Sequence, residues 1–70
     1  MKVKVTSDQK PKQLGMNLII RRSCSKDNFN NWEDVYTFLA KSTKVVNLTW
    51  YDMTIESGVW YKYSLQQRNL

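Results

Sequence analysis

The side chains that could do chemistry here are eleven lysines and arginines, six carboxylates, one thiol and four phenols, with no histidine among them. Without an imidazole there is no triad built on a histidine base, and no zinc site of the His/Cys type. A single cysteine, Cys24, excludes a disulfide framework within the chain. It lies between two serines in a polar stretch, with only Lys26 and Arg22 near enough in sequence to activate it, and reads as a plain reduced thiol. Asp27, Glu33, Asp34, Asp52 and Glu56 could supply a carboxylate pair for glycoside hydrolysis. The pattern puts them on turns and exposed strand positions, with no pocket between them. An enzyme is not expected, and neither a metal nor a cofactor is called for.

Other residues have spacings that suit structure or contact. Ile55, Gly58 and Tyr61 have the spacing of a tyrosine corner, in which a phenol crosses the bend between two strands and bonds backbone upstream. Trp60 is expected to face away from the core beside Lys62, as an interface anchor or a stacking platform. Arg21 and Arg22 are adjacent in an extended segment, so they point to opposite faces. Arg21 joins Trp60 and Lys62 as a candidate interface residue, with pairing to a carboxylate on a neighbouring strand as its structural role. Lys2, Lys4, Lys10 and Lys12 suit a solvated strand edge.

These residues must be positioned by very little chain. Seventy residues make one small domain, whose core buries only roughly 60% of the unfolded surface. The net charge is +5, unevenly spread: residues 1–26 carry seven cations against Asp8, a net +6, and residues 27–56 a net −3. Such halves can pair within the fold or between copies of it. No apolar run is long enough to span a membrane, and Met1-Lys2-Val3-Lys4-Val5 lacks the apolar stretch of a signal peptide.

Alternation marks the strands. The first five residues read as a short strand, and residues 7–13, with the only proline, as a loop. Asn17–Arg22 is a strand with Leu18 and Ile20 on one face and Ile19 and Arg21 on the other. Residues 23–28 form a polar turn region. Residues 29–41 carry both a near-helical spacing (Phe29, Trp32, Tyr36, Leu39) and a β-branched, aromatic run (Val35–Leu39). Val45–Tyr51 and Val59–Gln66 are strands on either side of a Ser57-Gly58 turn. The expected core is Leu18, Ile20, Val46, Leu48, Trp50, Tyr61, Tyr63 and Leu65. Short strands joined by turns point to an all-β sandwich or small barrel.

Three blocks extend this reading. Leu18-Ile19-Ile20-Arg21-Arg22-Ser23, Asp27-Asn28-Phe29-Asn30-Asn31-Trp32-Glu33-Asp34-Val35 and Asp52-Met53-Thr54-Ile55-Glu56-Ser57-Gly58-Val59-Trp60-Tyr61-Lys62-Tyr63 stand in that order. In order and spacing they resemble the fibronectin type III-like modules of tail and baseplate proteins from phages of Gram-positive hosts. The resemblance implies an immunoglobulin-like β-sandwich in which residues 18–23 correspond to strand C and 33–40 to the next strand. Residues 45–51 then correspond to strand E and 59–67 to strand F. It tips residues 29–41 towards a strand. Such a module has two strands before C and one after F. Here residues 1–16 form only a basic strand and loop, so residues 17–70 read as an incomplete module.

The resemblance implies a structural, virion-located interaction module that assembles with copies of itself or with other virion proteins. The lysines with Trp60 also suit a small basic β-domain that binds nucleic acid, a weaker fit. Trp60, Trp50 or Tyr51 would suit a carbohydrate-binding module at a host surface. Outside a virion, the expected location is the cytoplasm.

Overall fold

A computed structural model describes residues 1–69. The chain is all-β: β1 (Val3–Gln9), β2 (Asn17–Cys24), β3 (Glu33–Leu39), β4 (Val46–Asp52) and β5 (Tyr61–Arg68), with one 3₁₀ turn at Ser25–Asp27. The ambiguous segment is a strand, β3. Five strands form where four were clear in the sequence. The alternation of β1 runs on through Ser7, Asp8 and Gln9, residues that read as loop, because each pairs with β4. The last strand starts at Tyr61, two residues later than expected. No helix among the described residues is long and apolar enough to cross a membrane.

The strands make two antiparallel sheets, β1-β4 and β3-β2-β5. The inner face of the first sheet carries Val3, Val5 and Ser7 opposite Asp52, Trp50 and Leu48. On the second, Leu18 and Ile20 of central β2 lie between Phe38 and Tyr36 of β3 and Gln67 and Leu65 of β5. Leu18, Leu48, Met16 and Ala40 form the buried cluster, with Phe38 and Leu65 packed on it. Met16 and Ala40 close one end of the core, where Gly15 N–H bonds Ala40 O at 3.0 Å and Ala40 N–H bonds Met16 O at 2.8 Å. A stack of Tyr36 on Trp50, with ring centroids 5.6 Å apart, bridges the sheets along the side where β3 and β4 are edges.

Two features depart from simple alternation. Ile19 faces outward yet is only 5% exposed, because it sits mid-sheet between Thr37 and Gln66 and their neighbours shield it. Val46 has the inward parity but stays 38% exposed, at the end of an edge strand. The β2–β3 register shifts between Ile20 and Arg21, leaving Val35 as the extra residue. This bulge places Asp34 opposite Arg21 and Glu33 opposite Arg22. An unbroken ladder would have set Val35 against Arg21.

Leu18 is 1% exposed at the centre of the buried cluster. Leu18→Ala is expected to cost about 2–5 kcal/mol, and Leu14→Ala, at a side chain 67% exposed, less than about 0.5 kcal/mol. Urea unfolding followed by tryptophan fluorescence measures both.

Candidate functional site

The most elaborate polar arrangement lies between the sheets, at the end opposite Met16 and Ala40. Asp52 continues the inward parity of Leu48 and Trp50, and its side chain has no solvent exposure. This corrects the expectation that it lies at an exposed position. The β4 strand runs one residue past Tyr51, which carries the carboxylate into the interior. Four donors surround it. Tyr63 Oη–H bonds Oδ2 at 2.7 Å, and Arg22 Nη1 reaches the same oxygen at 2.8 Å. Thr54 donates its N–H at 3.0 Å and its hydroxyl at 2.7 Å to Oδ1. Arg22 comes from β2 and Tyr63 from β5, so one carboxylate of β4 ties both strands of the facing sheet.

The titration of the cluster follows from these contacts. Burial pushes Asp52 up, but the bonds from Tyr63, Thr54 and Arg22 outweigh it and hold the carboxyl at about 2. Burial and the bond to Asp52 raise the Tyr63 phenol. Burial pulls the Arg22 guanidinium down, and its bonds to Asp52 and Glu33 more than reverse that. Arg22 also bonds Glu33 Oε1 through Nε at 3.1 Å and donates from Nη1 to Thr54 Oγ1 at 2.7 Å. Its guanidinium carbon stands 5.1 Å from the Tyr61 ring centre. With its oxygens taken by four donors, Asp52 fastens strands together and has no lone pair aimed at a substrate.

Next to the cluster, the Tyr61 hydroxyl accepts a hydrogen bond from the Glu56 N–H at 2.9 Å. Tyr61 opens β5 and reaches back over the Glu56–Val59 turn, where Val59 N–H bonds Glu56 O at 3.3 Å. Gly58 takes φ +78° there, and a Cβ would meet nothing within 4 Å. Backbone conformation, and not space, makes glycine the fitting residue. Ile55 is half-buried beside the turn.

The candidate interface residues separate. Trp60 is 77% exposed, although its backbone is held by Ser25: the Trp60 N–H bonds Ser25 Oγ at 3.0 Å and the Ser25 N–H bonds Trp60 O at 2.9 Å. Lys62 Nζ lies 4.4 Å from the Phe29 ring centre. Arg21, on β2, turns instead to the β3 side, bonded to Asp34 at 2.9 Å and to Trp32 O at 3.3 Å. Arg68 holds the other oxygen of Asp34 at 2.9 Å, and the bonds from Arg68 and then Arg21 lower the Asp34 carboxyl. Trp60 and Lys62 thus border one loop from the β5 side, while Arg21 meets the last residue of that loop, Trp32, from an ion cluster with Asp34 and Arg68.

That loop, residues 25–32, carries backbone strain. Asn28 and Phe29 both have positive φ, 58° and 59°, held by Asn28 N–H to Ser25 O and Phe29 N–H to Cys24 O. Ser23 Oγ beneath it and Asp27 Oδ1 within it are buried with no hydrogen-bond partner among the described residues. Cys24 is a half-buried free thiol. Among the described residues no three His, Cys, Asp or Glu side chains gather as a metal would need.

Sequence reading missed Arg22, Asp52, Thr54 and Tyr63 as a unit. The signal was available in parity: Asp52 shares a face with Leu48 and Trp50, and Arg22 with Leu18 and Ile20. The chain matches no protein-family model, no curated protein and no solved structure.

Two measurements probe this region. Tyr61→Phe removes one internal hydrogen bond and is expected to cost about 0.5–1.5 kcal/mol in urea unfolding. Asp52→Asn leaves Arg22 and Tyr63 without their charged partner, for a loss of about 3 kcal/mol at neutral pH. The folded carboxyl, at about 2, titrates below its unfolded value of ~3.9, so its stabilisation is full above that value. It fades as the pH falls through the folded value. Unfolding midpoints of the native chain and Asp52→Asn should therefore converge on acidification from about pH 4 to pH 2. A gap of constant size would assign the loss to packing.

Proposed function

We propose that this chain is a structural interaction module of a phage tail or baseplate, built as an incomplete fibronectin type III-like sandwich. The observation that carries the reading is the strand pairing. In an immunoglobulin-like sandwich strands B and E share one sheet and C and F the other, with C′ beside C in the extended forms. β1 pairs with β4, and β2 lies between β3 and β5, which is the pairing of B with E and of C between C′ and F. Tyr61 at the start of β5, bonded to backbone five residues upstream, sits where a tyrosine corner of strand F belongs. The blocks that resemble the tail modules fall on β2, on β3 with the loop before it, and on the β4–β5 connection.

On this reading the chain carries no reaction and needs no cofactor. Its partners are copies of itself or other virion proteins, met through strand edges and exposed aromatics. Positions corresponding to the first and last strands of a full sandwich are unfilled among the described residues, so β1 and β5 each present a strand edge. A nucleic-acid role has less support. Arg21, Arg22, Lys26 and Arg68 are all engaged with carboxylates, which removes the best phosphate contacts from the basic surface.

Peptide mass spectrometry of density-purified particles from a producing culture tests the assignment. Peptides of this chain should co-purify with tail proteins at a fixed ratio. Full coverage of the tail proteins with no peptide of this chain would refute it.

A further inference from the structure

The β1 and β5 edges lie on the same side of the sandwich, and the cleft between them is lined by Val5, Ser7, Ile20, Tyr63, Ser64 and Leu65. We propose that a second copy of this chain closes this side. The inference rests on the interaction-module reading and names the partner and the symmetry. A two-fold axis through the cleft, passing beside Val5 and Ser64, sets β1 against β1 and β5 against β5, both antiparallel. The product is two continuous sheets, β4-β1-β1-β4 and β3-β2-β5-β5-β2-β3. The interface is isologous, so it closes at two copies.

Charge complementarity selects this partner and its register. Residues directly opposite in an antiparallel pair share a face, and opposite charges there stabilise while like charges destabilise. With Val5 facing Val5 on the inner side, Lys2 of each copy faces Asp8 of the other, and Lys4 faces Thr6, diagonal to both Asp8 and Lys4 of that copy. Lys2, Lys4 and Asp8 point outward on exposed positions. A two-residue slide would set Lys4 against Asp8 but Lys2 against Lys10. A one-residue slide would turn Val5 towards solvent.

The β5 edge agrees. With Ser64 facing Ser64, Tyr63 meets Leu65 on the inner face and Lys62 meets Gln66 on the outer. Trp60, 77% exposed in the single chain, then lies opposite Arg68 of the second copy, whose guanidinium stays with Asp34, so the indole is covered by the arginine's alkyl stem. A two-residue slide of this edge would oppose Lys62 and Arg68.

Sedimentation equilibrium of the whole chain, with circular dichroism to report folding, decides the matter. The native chain should sediment as a dimer with no larger species. Asp8→Lys and Lys2→Asp each create like-charge pairs and should each weaken self-association about tenfold or more. An equimolar mixture of the two variants should recover the dimer, because in the mixed pair both contacts between positions 2 and 8 again join a cation to an anion. Asn47→Ala, which removes the bond from Asn47 to Asp8 within the chain, should leave dimerisation unchanged. A folded monomer at every concentration would overturn the proposal, as would a dimer indifferent to both charge variants, or a mixture that stays monomeric. Such a result leaves the virion assignment to the particle analysis, and absence from particles would leave the dimer to sedimentation.

Discussion

A carboxylate with no solvent exposure is the constraint around which one end of this sandwich is arranged. Burying an unpaired charge costs several kcal/mol, so Asp52 can sit between the sheets only if the facing strands supply its partners. Arg22 and Tyr63 do so from β2 and β5, and Thr54 does so from the chain just beyond β4. Each is correct only in one register. Slide β2 by a single residue and Arg21 replaces Arg22 on the inner face, or slide β5 and Ser64 replaces Tyr63. The polar tie therefore fixes how the two sheets are placed on each other, a task for which the small apolar cluster of Met16, Leu18, Ala40 and Leu48 is poorly equipped.

The surroundings of the tie follow from the same demand. Arg22 brings a positive charge inward, and the bulge at Val35 sets Glu33 beside it while Asp34 goes to Arg21 on the outer face. The Tyr61 ring covers the guanidinium, and its hydroxyl in turn holds the Glu56 N–H of the connecting turn. Aromatic cover, bulge and corner act on one group of residues. The loop at 25–32 is bound in as well, through Ser25 to Trp60 and through the Lys26–Glu56 ion pair.

Much of this was legible as alternation. The inward parity of Leu18, Ile20, Leu48, Trp50, Tyr61, Tyr63 and Leu65 could be read from the residues, since period two needs only the pattern of apolar side chains. The opposite directions of Arg21 and Arg22 followed from the same rule. What escaped depends on neighbours that a single strand does not contain. Ser7, Asp8 and Gln9 are polar and look like loop, yet β4 pairs with each of them. Ile19 is buried by flanking strands, not by a second layer. The bulge at Val35 has no mark in a run as rich in β-branched and aromatic residues as Val35–Leu39. Asp52 looked like surface because a charge was assumed to be solvated, whereas parity already placed it inside.

The charge map shows where the remaining specificity can lie. The carboxylates of the acidic middle are largely taken up inside one copy by cations of the front segment: Arg21 with Asp34, Arg22 with Glu33 and Asp52, Lys26 with Glu56. The same carboxylates are then not available to draw in a second molecule. Asp8 stands apart from this, the one acidic residue of the front segment, on the outer face of an edge strand and flanked by lysines in sequence. Within the copy its partner is the neutral amide of Asn47. Cations set against a lone anion along an open edge discourage indiscriminate strand pairing, since a mismatched strand meets a row of ammonium groups. A strand with the same charges in reverse order meets its complement, and β1 of a second copy is such a strand.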